Sequence, residues 1–202
     1  MPATRLANVD RVNSDVPAAD FHGSRRPQPA LSRQRVARNL KPSITMSVVD
    51  RLTEMLDQRG VAFEVIRHEP VYTSEQAARV RGTSLASGAK ALVCKADGQF
   101  VMFVIPANHR LASKLVRKNE SIRSLRFASR AEVAQLTGLQ PGSIPPFGSL
   151  FDLQTWCDEA LAEQSVINFN AGDHAVSINM SYADYVSIEQ PKLGRFTAAE
   201  GG

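Results

Sequence analysis

The sequence contains no run of roughly 18 to 20 apolar residues, the length a membrane-spanning helix requires, and no apolar core of a secretory signal. It has only two cysteines, Cys94 and Cys157, without CxxC or Cys/His ligand spacing. A disulfide framework is thereby excluded, and the pattern fits a reducing compartment, so the expected location is cytoplasmic. The four histidines, His22, His68, His109 and His174, are too scattered to read as a metal set. GxSxG, Walker, HExxH and GxGxxG patterns are all missing. Neither a metal nor a cofactor is expected. Motif search alone stops at a globular α+β domain.

Charge is present but unevenly placed. Eight of the 24 basic residues and three of the 20 acidic ones fall in residues 1–45, which leaves 16 basic against 17 acidic for the rest. The basic pI therefore belongs to this leader, and nucleic-acid binding cannot be argued from it. The leader has several prolines and no sustained apolar period, and it reads as disordered. Its arginines fit a transit peptide, whereas Asp10, Asp15 and Asp20 oppose one. Met46 stands directly before the first ordered-looking segment and is read as a start or a leader boundary. The expected organisation is a leader over 1–45, a domain over 46–190 and a frayed tail over 191–202.

Within the domain, residues 110–130 hold seven cations and one acid, and residues 152–189 hold seven acids and no Lys or Arg. Such runs are commonly solvated faces. The alternative is a basic stripe for a phosphate backbone, with Arg110, Lys114, Arg117 and Lys118 as its candidates.

Periodicity supplies the elements. Val48, Val49, Leu52, Met55 and Leu56 recur at helical spacing between a capping Ser47 and a closing Gly60. Residues 62–67 alternate as a strand, and Thr73 and Ser74 cap a short helix. Two apolar runs, about 90–96 and 99–105, flank Asp97-Gly98 and predict a hairpin. Residues 111–118 read as a helix and 124–128 as a strand. Ser129 with Glu132 forms a capping box for a helix ending at Gly138. After the irregular loop "LQPGSIPPFGSL", runs 165–170 and 175–180 predict a second hairpin around "AGDH". A helix at 181–185 and a strand near 186–188 complete the reading. The elements are intermixed without strict βαβ alternation, which predicts α+β with a mixed sheet.

Three local features carry more. Lys90 opens a strand after Ser87, Gly88 and Ala89. "GSIPPFG" spans Gly142 to Gly148, and "NAGDH" spans Asn170 to His174. In order and spacing they resemble the prolyl-tRNA editing, or YbaK/ProX-type, aminoacyl-tRNA deacylases. The resemblance runs from about Val48 to Ile188 through "HEPVYTSEQAA", "AKALVCK", "LTGLQPGSIPPFG" and "FNAGDHAVSINMSYADY". It implies a largely antiparallel, barrel-like sheet flanked by helices.

The resemblance also implies roles. Lys90 takes the place of the family's functional lysine, holding a phosphate or sugar oxygen at the tRNA 3′ end and steadying charge on the ester; a strand-end lysine also commonly snorkels. Gly142 to Pro146, with Ile144 and Pro145 inside the span, match the family's GxxxP loop, continued here as Phe147 and Gly148, and its amides can bind an oxyanion or the carbonyl; read alone, the loop is a rigid connector. Gly172 and His174 match the late hairpin, where His174 contacts the substrate amine, orders a water or simply faces solvent. Tyr72 and Thr73 resemble the wall that lines the terminal adenosine, although a tyrosine there also packs a core.

The implied activity is trans-editing hydrolysis of mischarged aminoacyl-tRNA. The partners are its CCA end and acceptor stem, with an aminoacyl-tRNA synthetase as a further candidate and no membrane. Ala91 after the lysine is more similar to the Ser/Thr-type or broader branches than to the alanine-specific one, which typically has asparagine there. The expected order is Ser/Thr or another small residue, then Cys, then Ala, on tRNA(Pro) or a related tRNA. The alternative is a non-catalytic module of the same fold that holds tRNA or a synthetase.

Overall fold

A computed structural model describes residues 46–199. The expected leader over 1–45 lies outside them. The first helix, α1 (Val48–Gln58), has the Ser47–Asp50 capping box and turns Leu52 and Leu56 into the core. Then follow β1 (Phe63–Arg67), α2 (Ser74–Arg81), β2 (Ala89–Ala96) and β3 (Gln99–Pro106). Next come β4 (His109–Leu111), α3 (Ser113–Asn119), β5 (Leu125–Phe127) and α4 (Arg130–Thr137). The chain finishes with β6 (Gln154–Asp158), β7 (Val166–Asp173), β8 (Val176–Ser181), α5 (Tyr182–Glu189), β9 (Lys192–Gly194) and β10 (Thr197–Ala199).

By hydrogen bonding the strands form three sheets, ordered β5-β2-β3-β6-β9, β1-β8-β7 and β10-β4. Pairing is mostly antiparallel; β3–β6 and β6–β9 are parallel. The α+β class with a mixed sheet is as expected.

The predicted hairpin is β2–β3, with Lys90 opposite Ile105 and Ala96 opposite Gln99. Apart from Lys90 and Lys95 its runs are mainly apolar, because side chains on both faces enter packed cores. Ala89, Val93, Met102 and Val104 enter the main core with Leu52, Phe169 and Tyr185. Cys94, Val101 and Phe103 enter a second core with Val116, Trp156 and Phe196.

Three expectations are corrected, and one strand had not been expected. Residues 111–118 are not one helix: Leu111 ends β4, and α3 begins at Ser113. No strand occupies 186–188, because α5 continues to Glu189. Residues 192–199 do not fray; β9 pairs with β6, β10 pairs with β4, and Phe196 is fully buried between Phe103 and Trp156. Finally, β6 was not foreseen, although it lies between β3 and β9 inside the five-stranded sheet.

One backbone link joins the two larger sheets. Gly88 forms an isolated parallel bridge with Asn168, and the Asn168 amide donates to the Ser87 carbonyl at 2.8 Å. A Cβ on Gly88 would stand 2.8 Å from Ala107 Cβ, so glycine here lets the chain after β3 pack closely against the start of β2.

Candidate active site

Beside that link lies a cavity of ≈ 170 Å³. One wall is α2 with the segment preceding it. Thr73 caps this helix by accepting from the Gln76 amide at 3.2 Å, and the Gln76 side chain accepts from the Tyr72 amide at 2.9 Å. Gly82, at φ 67°, ends the helix and turns the chain toward β2. The opposite wall is β7 at Asn168–Asn170, with Gly142 and Ile144 of the irregular loop.

Four expected features therefore meet: Tyr72, Thr73, Lys90 and the Gly142–Ile144 end of the loop. Tyr72 is 72% exposed, which excludes core packing; its ring stands at the rim, 4.7 Å from the ring of His174. Lys90 is half-buried. Its Nζ donates to the carbonyl of His109 at 3.0 Å and to that of Ala107 at 3.4 Å. The Glu75 carboxyl is held below its ordinary range by its own backbone amide, then by Thr73, with a smaller pull from the Lys90 charge.

The remaining expected residues stand behind the cavity. Pro145, Pro146, Phe147 and Gly148 are buried and do not line it. The reason is packing: Phe147 meets Phe169 and Tyr185 edge-on, and the Gly148 amide donates to Thr155 Oγ1 at 3.0 Å. Gly172 is at φ 100° in the irregular stretch of β7, where a Cβ would come within 2.9 Å of Val48. Its amide donates to the Ser143 carbonyl at 2.8 Å, stapling the loop to β7. His174 does not line the cavity. Its Nδ1 is 3.0 Å from the Val71 carbonyl, which can only accept, so Nδ1 carries the proton and the ring backs Tyr72.

Arg110, Lys114, Arg117 and Lys118 are exposed on β4 and α3, outside the cavity. The stripe nevertheless starts beside it, because Arg110 follows the residue whose carbonyl binds Lys90. The Arg126 guanidinium, further along the same run, pairs with Glu132 at 2.7 Å.

Sequence reasoning missed the polar floor. Arg81 closes α2, and its Nε donates to Ser177 Oγ at 2.8 Å while Nη2 donates to Asn170 Oδ1. Asn170 Nδ2 in turn donates to the Gly142 carbonyl at 2.7 Å. Asn168 reaches Ser87 Oγ at 3.2 Å. Arg81 is one helical turn beyond buried Ala77, and this i, i+4 relation was the available signal. Desolvation pulls the Arg81 guanidinium down to about 10, which leaves it charged at neutral pH. Among the described residues, no three His, Cys, Asp or Glu side chains cluster to hold a metal, and no helix is long and apolar enough to cross a membrane.

A cavity of this kind, lined by the two cations Lys90 and Arg81 and bordered by a stapled glycine loop, can bind a small polar group. The aminoacyl-tRNA editing domain family matches residues 68–188. The chain is 40% identical over 152 residues to the multifunctional Ser/Thr-tRNA deacylase ProXp-y of Escherichia coli K12, covering 72% of this chain and 90% of that protein. It is 31% identical over 120 residues to the proline–tRNA ligase of Bacillus licheniformis, covering 56% of this chain and 21% of that one. A solved structure described as a candidate trans-editing enzyme for prolyl tRNA synthetase superposes with a TM-score of 0.68 at 21% identity, covering 76% of this chain and 98% of that one.

Proposed function

Because the chain belongs to the aminoacyl-tRNA editing domain family, we propose that it is a trans-editing hydrolase that deacylates mischarged aminoacyl-tRNA. Its substrates are esters of the Ser/Thr/Ala/Cys class on tRNA(Pro) or a related tRNA. Ser and Thr rank first, Cys next and Ala last. The observation that carries this reading is the small cavity where Tyr72, Lys90 and Gly142 converge. It suits an amino-acid side chain and its ester, and it excludes bulky ones by size.

In this reading Tyr72 stacks the terminal adenine, which the exposed rim position of its ring favours. Lys90 holds a phosphate or ribose oxygen next to the ester. A water attacks the ester carbonyl, the bond from that carbon to the ribose oxygen breaks, and a proton passes to the ribose oxygen. Free amino acid and intact tRNA leave. The Gly142–Ile144 loop borders the carbonyl, and the neighbouring ribose hydroxyl of the substrate assists. Pro145, Pro146, Phe147 and Gly148 hold that loop in shape, as do Gly172 and His174 from the far side.

Arg110, Lys114, Arg117 and Lys118 receive the acceptor-stem phosphates in this proposal, continuing from the Lys90 end of the cavity. The match to part of a proline–tRNA ligase supports a synthetase as a second partner. Such a role belongs with translation in the cytoplasm.

Purified protein assayed against a panel of mischarged tRNAs tests the reading. Hydrolysis of at least one small-residue ester is expected, and Lys90→Ala should lower kcat/KM by about 100-fold or more with the melting temperature nearly unchanged. If no ester in the panel is cleaved while tRNA still binds, the protein is a binding module and the deacylase reading is lost.

A further inference from the structure

The geometry points to Arg81 as the residue that reads the substrate side chain, selecting amino acids whose side chain carries a hydrogen-bond acceptor. The inference rests on the deacylase reading above and concerns the floor of the same cavity.

A guanidinium has five N–H donors, and all of them need partners when water is scarce. Two of the five are taken, by Ser177 and Asn170. The other three make no hydrogen bond to the described residues, and no carboxylate pairs with Arg81 among them. Arg81 lines the cavity, so this is where the spare donors find acceptors. A structural arginine of the core is normally matched by an acid. This one is clamped by neutral groups and keeps its charge for whatever enters.

The clamp fixes direction as well as charge. His68 Nδ1 is 2.7 Å from the Glu69 carbonyl, so in the neutral ring Nδ1 carries the proton and Nε2 accepts. Ser177 Oγ lies 2.6 Å from that Nε2 and donates to it, which turns its lone pairs toward Arg81 Nε. On the other side Asn170 presents its oxygen to Arg81 because its NH₂ is engaged by the Gly142 carbonyl. Each partner is oriented by a further bond, so the guanidinium plane has one defined setting.

Charge decides which part of the substrate faces it. An aminoacyl ester carries an α-ammonium, and a fixed cation on the floor repels it. Glu75, which feels the Lys90 charge, lies six residues before Arg81 on α2, or about 9 Å along the helix axis. With Lys90 at the tRNA end, Arg81 meets the amino-acid side chain. A Ser or Thr hydroxyl offers its oxygen to the spare N–H groups, a Cys sulfur is a weaker acceptor, and an Ala methyl offers nothing. Excluding water with a methyl leaves donors unpaired, so alanine is disfavoured by more than its size warrants.

Non-hydrolysable 3′-seryl-, 3′-threonyl- and 3′-alanylamino-3′-deoxyadenosine, titrated against the full chain, give the test. The seryl and threonyl compounds should bind at least about tenfold more tightly than the alanyl one. Arg81→Met should reduce that ratio to about twofold or less, weakening seryl and threonyl binding while relieving the penalty on the alanyl compound, and Arg81→Lys should keep part of it. Equal affinity of the wild-type chain for all three overturns the assignment without any variant. A uniform loss across all three in Arg81→Met overturns it too, since that marks a purely structural residue. Parallel deacylation assays keep the two ideas apart. A chain that cleaves no ester overturns the deacylase reading, whereas equal kcat/KM on seryl and alanyl esters leaves it standing and removes the role of Arg81.

Discussion

The hydroxyl of Tyr185 donates to the carbonyl oxygen of Pro146 at 3.0 Å, from a ring that solvent does not reach. Burial raises the phenol well above its ordinary range, so it stays protonated and remains a donor. This bond ties α5 to the loop that borders the cavity. Tyr185→Phe keeps the packing against Phe147 but leaves the Pro146 carbonyl buried without its partner. The expected cost is about 1–2 kcal/mol of stability, read from chemical denaturation. A stability equal to wild type would show that the loop is held without this bond.

Two glycines with similar backbone angles should respond differently to alanine. Gly98 turns the β2–β3 hairpin at φ 92° with nothing within 4 Å of a new Cβ. Gly172, at φ 100°, would drive that Cβ to 2.9 Å from Val48. Both substitutions strain the backbone, but only one also pushes α1 away. Gly172→Ala should be the more destabilising by about 1–3 kcal/mol, measured as the difference in denaturation free energy. Equal losses would mean that α1 yields without cost.

Acid should weaken the β5–α4 corner. The Glu132 carboxyl is lowered from 4.5 to about 2, first by the side-chain hydrogen bonds from Arg126 and then by the Ser129 amide. A depressed folded-state value contributes stability above about pH 4.5, and that contribution is lost as pH falls through about 2. Glu132→Gln retains a capping oxygen and removes the charge. The gap between the denaturation midpoints of the two proteins should therefore narrow as pH falls from about 5 to about 2. A gap independent of pH over that window would contradict the ion pair.

Neither thiol should react in the native protein. Burial pushes Cys94 and Cys157 up to about 12, and both lie within packed cores. Iodoacetamide at about pH 8 should label neither until denaturant is added, as intact-mass spectrometry would read. Native labelling of either would point to opening of its core.

Local chemistry made several elements legible in the sequence. The capping Ser47 and the Ser129–Glu132 capping box mark helix starts by hydrogen bonds that depend only on neighbours. The β2–β3 hairpin shows because Asp97-Gly98 interrupts two runs buried on both faces. Strand β6 was hidden because "QTWCD" runs directly into the acidic, helix-like "EALAE", which obscures a five-residue strand; its parallel partners lie at Val101–Val104 and Lys192–Gly194. Phe196 read as part of a tail because its burial depends on Phe103 and Trp156, both remote in sequence.

The site divides along the same line. Lys90 and the glycine loop stand out because their residue types are unusual for their positions. Arg81 does not, since "ARVRG" offers two arginines and a valine and only tertiary packing chooses among them. It turns Arg81 toward the cavity and leaves Val80 exposed, the reverse of what hydrophobicity suggests. Asn170 and Ser177 read as ordinary strand residues until their partners across the cavity are known.

The bridge between Gly88 and Asn168 governs how the site comes into being. Lys90 is two residues beyond it on one sheet, and Asn170 is two residues beyond it on the other. The two hairpins taken apart would each keep their strands, yet Lys90 and Asn170 would line nothing together. The cavity is thus a property of how the sheets are seated on one another, not of either sheet alone.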